Sequence, residues 1–355
     1  MREMKVNADS HAYPVYVGEN LRFQVGRLLK EDYSSILIIS DTTVGELYLE
    51  DIMSGINHPH IFHTLVPAGE ASKNIEQFYE VHTKAIEYGL DRHSLIIALG
   101  GGVIGDLAGF VAATYMRGVD YVQIPTTILA HDSSVGGKVA VNHHLGKNLI
   151  GNFYPPKAVI YDVQTLESLD AKQVRSGYAE LVKEAFIGDD QFLQQLLDIQ
   201  LNDINSSQLI EHLYNGIHIK ASIVEQDEKE AGIRKYLNLG HTLGHALEAE
   251  AGYGRIAHGE AVAIGILFAL YVSEKEYGIN LPYQQLLGWL HLNGYPLNIS
   301  GAAPEALIRR MKSDKKNIGS RIQMILLQSP GNVTTKEINE ELLTDYLTTF
   351  KRKLV

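Results

Sequence analysis

The sequence predicts an α/β protein of two domains. At 355 residues the chain is too long for a single hydrophobic core. Up to about residue 160, short apolar runs alternate with helical segments, a pattern typical of a mostly parallel sheet covered on both faces. After residue 165 strand signals nearly vanish, and long segments with a 3.6-residue period follow. We therefore expect a Rossmann-like α/β domain over residues 1–165 and an all-α domain over residues 166–355.

The individual elements follow from the same patterns. Predicted strands cover residues 35–40, 61–66, 94–99, 121–125 and 159–161, and the predicted helices between them cover 43–52, 74–88 and 105–115. In the second half, helical periodicity covers 171–188, 190–199, 206–228, 240–252, 258–278, 282–294 and 304–313. Only residues 322–327 resemble a strand there.

Composition and charge exclude several classes of protein. The chain has no cysteine, which rules out disulfides, thiolate metal sites and a cysteine nucleophile, and suits a reducing cytoplasm. Its net charge of −11 argues against broad nucleic-acid binding. The N-terminal residues lack the apolar run of a secretory signal, and no stretch reaches the roughly 18 apolar residues of a membrane span. We expect a cytoplasmic protein without nucleic-acid or membrane partners.

A glycine-rich turn at residues 100–106 follows the predicted strand 94–99 and opens a helix. It matches GxGxxG, in which glycines permit close approach of a phosphate to a helix N-terminus. The motif does not lie on the first strand of the domain, so a tight turn without a ligand stays open. Asp41, the turn at residues 68–73 and the pair Thr126–Thr127 also follow predicted strands. Because parallel strands end at one edge, these residues predict a nucleotide site there.

The segment 132–148 is unusually basic and glycine-rich for an acidic protein. Lys138, Lys147 and Asn148 offer hydrogen-bond donors to an oxyanion. The spacing of a P-loop is missing, so a Walker A site is rejected. We predict a loop, either a functional one that binds an anion or a merely solvated one.

The second half contains candidate metal ligands. His241 and His245 are four residues apart, so they share one face of a predicted helix. Position 242 is Thr, which excludes an HExxH peptidase. Glu180 with two of the histidines at 241, 245 and 258 would form a site with two histidines and one carboxylate, although the histidine pair could equally be structural. Without cysteine, such nitrogen and oxygen ligands suit Zn²⁺, Co²⁺, Mn²⁺ or Fe²⁺.

Several motifs together make the chain similar to the 3-dehydroquinate synthase family. They are GGGVIGDLAGF, YMRG, PTT, DSSVGGKVAVN, LGKNLIGNFYPP, SGYAELVKEA, LNLGHTLGHALE and HGEAVAIG, and the similarity runs from about Asp41 to residues 314–317. The resemblance implies a dehydroquinate synthase-like fold, NAD and Zn²⁺ (or Co²⁺) as cofactors, and a homodimer. It also implies a carbon–oxygen lyase of the shikimate pathway in aromatic amino acid biosynthesis. Its substrate would be a phosphorylated sugar acid, 3-deoxy-D-arabino-heptulosonate 7-phosphate, converted into 3-dehydroquinate and phosphate.

The resemblance further implies the residues of the site. The metal ligands would be Glu180, His241 and His258. The implied NAD contacts are Asp41, Ala68, Gly69, Glu70, Ala71, Ser72, Lys73, Gly101, Gly102, Val103, Ile104, Gly105, Asp106, Thr126, Thr127, Lys138, Lys147, Thr165, Leu166, Glu167 and Ser168. The implied substrate and catalytic residues are Asp132, Lys138, Asn148, Lys183, Lys220, Arg234, Asn238, His245, Lys315 and Lys316, with Arg117 from a neighbouring subunit. The segment 168–173, Thr43 and the spacing between Thr127 and Asp132 depart from the family pattern, all near the implied NAD contacts.

The implied mechanism uses NAD⁺ for transient oxidation, then phosphate elimination, return of the hydride and an intramolecular aldol closure. His245, one turn from His241, would relay a proton to solvent. Alternatives are another sugar-phosphate cyclase, such as a valiolone or inosose synthase, and an oxidoreductase of the iron-dependent alcohol or glycerol dehydrogenase type. A metal-dependent phosphatase and a non-catalytic binding protein are more distant possibilities.

Overall fold

The computed structural model describes residues 1–29, 31–252, 255–313 and 321–354. The chain forms two compact units. The first comprises Met1–Leu169 and Asn205–Lys229, and the second comprises Asp170–Ile204 and Glu230–Val355.

The strands, in chain order, belong first to the α/β unit and then to the helical unit. The first unit contains β1 (Arg2–Asn7), β2 (Ala12–Gly18), β3 (Ile36–Asp41), β4 (Ile61–Val66), β5 (Leu95–Gly100), β6 (Asp120–Pro125), β7 (Lys138–His143), β8 (Gly146–Phe153) and β9 (Ala158–Asp162). The second contains β10 (Arg321–Ser329) and β11 (Asn332–Asn339).

The helices are α1 (Val25–Leu28), α2 (Thr42–Ser54), α3 (Ile75–Glu87), α4 (Gly102–Thr114), α5 (Ala130–Ser133), α6 (Ala171–Gly188), α7 (Asp190–Leu197), α8 (Ser206–Val224), α9 (His241–Ala251), α10 (His258–Tyr277), α11 (Tyr283–Leu292), α12 (Pro304–Ser313) and α13 (Glu340–Lys353). Short 3₁₀ segments lie at Leu21–Gln24, Glu70–Ser72, Tyr115–Arg117, Val163–Ser168, Leu201–Asp203 and Ile233–Asn238.

The first unit is built on a seven-stranded sheet in the order β1-β2-β9-β6-β5-β3-β4. Its pairs are parallel except β1–β2. Strand β5 is buried along its whole length, and this explains its continuous apolar run in the sequence. Helices follow the carboxyl ends of β3 and β5, so the polar residues of those turns lie at one edge of the sheet. The predicted Rossmann-like, mostly parallel sheet is confirmed.

Helix α8 belongs to the α/β unit and packs against β1 and β2. A backbone hydrogen bond from Asn7 to the Glu225 carboxylate, 2.8 Å long, fixes the end of this helix. This arrangement differs from the expected division at residue 165, which assigned every later helix to the second domain. Helical periodicity gives the type of an element, but it carries no information about which core the apolar face will join.

The second unit is mostly helical, as predicted, and its centre is α10. Apolar residues surround this helix, and it is buried from Gly259 to Ser273. The buried carboxylate of Glu260 lies 2.8 Å from Arg175 on α6. The unit also contains the antiparallel pair β10–β11. The domain is therefore not all-α. The expectation was wrong because the sequence signal indicated only the first of these strands.

The basic segment 132–148 is ordered, which corrects the prediction of a loop. It contains the end of α5, a turn with Gly136 and Gly137 at positive φ, strand β7 and the start of β8, which pairs with β7 in an antiparallel hairpin. Val139 and Val141 enter the hydrophobic core beside α3 and α4. No helix among the described residues is long and apolar enough to cross a membrane.

Candidate metal centre and nucleotide edge

Three helices of the second unit bring the predicted metal ligands together. Glu180 lies in the middle of α6 and is 1% exposed, while His241 and His258 are the first residues of α9 and α10. The Glu180 Oε1 atom lies 3.6 Å from His241 Nε2 and 3.4 Å from His258 Nε2. One carboxylate oxygen therefore faces the same ring nitrogen of both histidines.

These distances fit a divalent ion. Two ligands that bind one tetrahedral Zn²⁺ at about 2.1 Å lie roughly 3.4 Å apart. The separations of 3.4 and 3.6 Å at Glu180 agree with that geometry without any movement of the helices. The chemistry of two imidazoles and one carboxylate is also that of catalytic zinc sites with an open coordination position. The residues present thus fit the implied metal.

The exposed side chain of His245 lies close to the same cluster. Its ring centroid is 5.2 Å from that of His241 and 5.7 Å from that of His258. One ligand nitrogen from each of these three histidines lies within 4.8 Å of the others, so a three-histidine set is a second possible arrangement. We favour Glu180 as the third ligand because its buried Oε1 atom faces Nε2 of both His241 and His258, whereas His245 reaches solvent.

Glycines allow the three helices to approach this closely. A Cβ atom on Gly259 of α10 would lie 1.9 Å from the carbonyl oxygen of Ser176 on α6. A Cβ atom on Gly265 would lie 1.9 Å from the carbonyl oxygen of Gly240, the residue before α9. Both distances are far below a van der Waals contact, so only glycine fits. The relative positions of Glu180, His241 and His258 depend on these two contacts.

The pKa values of the two histidines shift in opposite directions. Burial lowers the pKa of His241 to about 3, despite the nearby charge of Glu180, and leaves the ring neutral. Burial also acts to lower the pKa of His258, but hydrogen bonds and the charges of Glu180 and Glu248 outweigh it and raise the pKa to about 10. A divalent cation at Nε2 would displace the extra proton of His258, as metal ligation requires.

The second unit also contains other predicted substrate residues. Lys183, one turn after Glu180, is 1% exposed, and its Nζ lies 2.5 Å from Glu180 Oε2. Arg234 is buried in the 3₁₀ segment Ile233–Asn238. The Asn238 amide at the end of this segment donates to the Glu230 carboxylate at 3.0 Å. Lys315 and Lys316 lie outside the described residues.

In the first unit, the glycine turn begins α4 at the carboxyl edge of the sheet. Gly101 is the N-cap and no side chain caps the helix, so the amides of the first turn face outward from the helix end. A Cβ atom on Gly101 would lie 3.0 Å from Thr127, and one on Gly102 would lie 3.1 Å from the Ser133 hydroxyl. Thr126 Oγ1 is buried and has no hydrogen-bond partner among the residues that the structure describes. A helix N-terminus without a side-chain cap, approached by glycines and hydroxyls, fits the phosphates of a dinucleotide.

A lysine connects the predicted nucleotide turn to the glycine turn. Lys73 donates to the Asp106 carboxylate on α4 and, at 2.7 Å, to the Asn148 amide oxygen on β8. Burial raises the pKa of Asp106, and the positive charge of Lys73 opposes that rise. Glu70 accepts a hydrogen bond of 2.7 Å from Asn142. Glu70, Lys73, Asp106 and Asn148 thus belong to one network, which Asn142 completes.

Two other groups of predicted NAD contacts have local structural roles. Asp41 Oδ1 caps α2 by accepting hydrogen bonds of 2.9 Å from the amides of Thr43 and Val44. The Thr165 hydroxyl donates to the carbonyl of Asp162 at 2.8 Å, within the 3₁₀ segment Val163–Ser168. Residues 165–168 therefore form a compact turn after β9.

The remaining predicted residues of the first unit are cationic or pair with a cation. Lys220 on α8 is buried, and its Nζ lies 3.1 Å from Asp132 Oδ1 on α5. Lys138 is the first residue of β7, and Lys147 is the second residue of β8. Arg117 is exposed and has a φ of 71°, a left-handed conformation that non-glycine residues rarely adopt.

Sequence reasoning missed two residues that connect the predicted ones. Glu248 on α9 lies 2.9 Å from the Nδ1 atom of His258. It lies seven residues after His241 and three after His245, a spacing that places all three on one face of the helix. This spacing could have identified Glu248 from the sequence. Asn142 contacts Glu70, and its amide oxygen accepts from the backbone of Asn148 at 3.0 Å. It was missed because its strand had been interpreted as a loop.

Comparisons with known proteins agree with this architecture. Residues 63–176 match the family model described as 3-dehydroquinate synthase N-terminal, and residues 177–317 match that described as 3-dehydroquinate synthase C-terminal. The chain is 54% identical to the 3-dehydroquinate synthase of Oceanobacillus iheyensis, over 100% of this chain and 99% of that protein.

Solved structures with the same fold include two synthases with other names. A 2-deoxy-scyllo-inosose synthase, in complex with carbaglucose-6-phosphate, NAD⁺ and Co²⁺, has a TM-score of 0.86 at 25% identity and covers 99% of this chain and 100% of its own. A 2-epi-5-epi-valiolone synthase from Streptomyces hygroscopicus, with NAD⁺ and Zn²⁺ bound, has a TM-score of 0.82 at 24% identity, over 96% of this chain and 97% of its own. From the family models and the full-length relative, the chain belongs to the 3-dehydroquinate synthase family of phosphate-eliminating cyclases.

Proposed function

We propose that the chain converts 3-deoxy-D-arabino-heptulosonate 7-phosphate into 3-dehydroquinate and phosphate, with NAD⁺ and a divalent metal as resident cofactors. The observation that carries the proposal is the buried ammonium of Lys183, 2.5 Å from the candidate metal ligand Glu180. A site for simple alcohols needs no such cation, whereas a substrate with a carboxylate and a phosphate does. The family membership supports the same activity.

Glu180, His241 and His258 would hold the metal, and the turn at 101–106 with Lys73 would hold the pyrophosphate of NAD. When bound, NAD⁺ supplies a reversible hydride acceptor and the metal supplies a Lewis acid for the substrate oxygens. Glu180 is buried, so its carboxylate would face the metal from the interior of the unit. The relatives bound to NAD⁺ with Co²⁺ or Zn²⁺ support this choice of cofactors.

His245 is the candidate for moving a proton between the substrate hydroxyl and solvent. Its ring lies beside those of His241 and His258, yet its side chain is exposed. A group with one side on the reacting centre and the other in water suits general acid–base work. His245→Ala should therefore lower kcat far more than it lowers affinity for NAD⁺ or the metal. Equal losses in all three quantities would assign a structural role to this histidine.

Basic residues must bind the anionic substrate within a protein of net charge −11. Lys183, Lys220 and Arg234 are buried, so water screens their charges less than it screens those of surface residues. Asp132 neutralises part of the charge of Lys220 and fixes its position. We assign these residues, with Lys138, Asn148 and Asn238, to substrate binding. The lysines at 315 and 316 belong to the same proposed set.

A homodimer is also part of the proposal. The hairpin β7–β8 exposes the apolar side chains of Leu145, Leu149 and Phe153, and Met116 is 51% exposed beside Arg117. Contact between two copies would cover these side chains and bring Arg117 to a neighbouring site. A mass near 79 kDa in light scattering (about twice the chain mass of 39.4 kDa) supports this, and a monomer contradicts it.

A cytoplasmic location is also our proposal, in keeping with a sequence that has no cysteine and therefore no disulfides.

The decisive experiment incubates the purified protein with the heptulosonate phosphate, NAD⁺ and Zn²⁺ and measures phosphate and 3-dehydroquinate together. We expect equal amounts of both products and no net NADH. Phosphate without the cyclic product would contradict the proposal and indicate a phosphatase. Net NADH from a simple polyol would instead indicate the dehydrogenase alternative. Lys183→Met should abolish turnover, whereas Lys84→Met, at an exposed ion pair on α3, should leave it unchanged.

A further inference from the structure

The carboxylate of Glu248 faces the side of His258 that points away from the candidate metal position. Glu248 Oε2 lies 2.9 Å from His258 Nδ1, and Glu180 Oε1 lies 3.4 Å from His258 Nε2. Both nitrogens of this ring are thus directed at carboxylates on different helices. Glu248 is only 6% exposed, so water competes little for its hydrogen bond.

The hydrogen-bonding capacity of imidazole explains why this contact matters. A neutral ring carries one N–H, and the nitrogen that binds a metal must be the one without it. If Nε2 of His258 binds the ion, the proton must lie on Nδ1 and needs an acceptor there. An ionised carboxylate can only accept, so Glu248 selects this tautomer and holds the plane of the ring.

His241 has the same orientation with a weaker acceptor. Its Nδ1 lies 3.3 Å from the carbonyl oxygen of Leu239, while its Nε2 faces Glu180. A backbone carbonyl therefore orients His241, whereas the acceptor for Nδ1 of His258 is the side chain of Glu248. Glu248 lies on the face of α9 that also presents His241 and His245. Helix α9 thus orients both a ligand of its own and a ligand of α10.

We propose that Glu248 is a positioning residue of the metal centre, which fixes the tautomer and ring plane of His258 so that its Nε2 atom faces the ion. The inference rests on the proposed metal ligands and adds a residue outside that set. Removal of such an acceptor typically costs about 10–100-fold in metal affinity.

The test compares Glu248→Ala and Glu248→Gln with Glu250→Ala in the same helix. Glu250 forms an ion pair with Arg310 at 3.4 Å, and its side chain is 32% exposed, so it is a matched control for losing a carboxylate from α9. The affinity for Zn²⁺ is measured by competition with a chromophoric chelator, and the visible spectrum of the Co²⁺-loaded protein reports the ligand geometry. Thermal unfolding of each metal-free variant reports the fold.

We expect Glu248→Ala to bind Zn²⁺ about 10–100-fold more weakly, with an altered Co²⁺ spectrum, and Glu250→Ala to match the wild type. Glu248→Gln keeps an oxygen that can accept from Nδ1–H, so its loss should be smaller, and it decides the question if the alanine variant fails to fold. Wild-type affinity and spectrum in both Glu248 variants would overturn the inference while the metal centre itself stands. If the wild-type protein bound no Zn²⁺ or Co²⁺, the proposed metal centre would fail instead.

Discussion

The contact between Gly265 and Gly240 leads to a quantitative prediction for Gly265→Ala. The new Cβ would lie 1.9 Å from the Gly240 carbonyl oxygen, whereas ordinary contacts begin at 3.4 Å. The start of α9 would have to move about 1.5 Å relative to α10 to restore such a contact. His241 directly follows Gly240, so the movement would carry a candidate metal ligand with it.

Two opposing effects set the expected magnitude. Alanine in a helix interior is favoured over glycine by about 1 kcal/mol. Overpacking a well-packed contact costs about 1–3 kcal/mol, and an overlap with rigid backbone belongs at the upper end. We therefore expect Gly265→Ala to lower the free energy of unfolding by about 2 kcal/mol. Distances between a metal ion and its ligands tolerate a change of only about 0.2 Å, so the affinity for Zn²⁺ should fall at least tenfold.

Gly288→Ala is the matched control, because it lies inside α11 and an added Cβ would have no atom within 4 Å. Only the propensity effect applies there, so this variant should be more stable than the wild type by up to about 1 kcal/mol. Urea unfolding of the metal-free proteins, followed by far-ultraviolet circular dichroism, and Zn²⁺ competition titrations measure both effects. A Gly265→Ala protein as stable as Gly288→Ala, with wild-type Zn²⁺ affinity, would refute the reasoning.

Two further predictions concern buried titratable groups in the first unit. Lys73→Met leaves the Asp106 carboxylate without the cation of this ion pair, so it should destabilise the protein by about 3 kcal/mol in urea unfolding and weaken NAD⁺ binding in a fluorescence titration. Lys84→Met, at an exposed ion pair, should change neither quantity. Equal behaviour of the two variants would contradict this prediction. Burial lowers the pKa of His212 from 6.5 to about 4, so the unfolded chain takes up a proton at higher pH than the folded protein. The free energy of unfolding is therefore unaffected by this group above pH 6.5, and it decreases by about 3 kcal/mol as the pH falls towards 4. His212→Gln should flatten that pH dependence, and an unchanged slope would exclude His212 as its source.

Helices of the second unit were predicted well where capping residues and buried faces agree. Helix α6 spans Ala171–Gly188, the predicted range, because Asp170 caps its first turn and its buried face runs from Ser176 to Ile187. Helix α10 was recognisable from its long apolar run. The hairpin β7–β8 was missed although Val139 and Val141 alternate, because glycines and lysines around them suggested a loop. Helix α13, with its charged termini, was not predicted at all.

The candidate site shows a sharper limit of sequence reasoning. Spacing along one helix identified the pair His241 and His245, since four residues make about one turn. The structure brings Glu180 and His258 next to His241 through contacts between helices, and no local pattern encodes those contacts. The glycines at 259 and 265 are the physical cause of that approach, and in a single sequence they look like ordinary interruptions of a helix. The family resemblance supplied what spacing could not.

Three lysines of the proposed site share one arrangement, in which a buried ammonium lies beside a carboxylate. The pairs are Lys73 with Asp106, Lys183 with Glu180 and Lys220 with Asp132. A buried lysine without a counter-ion would lose its proton or turn towards solvent. Each carboxylate therefore keeps its lysine charged and oriented before an anion binds. Such a pair is nearly neutral from a distance, so the attraction for an anionic substrate acts only at short range, where the field of net charge −11 no longer dominates. Removal of either partner changes the charge balance of a buried or partly buried pair, so activity losses at these positions combine binding with stability and have to be measured together.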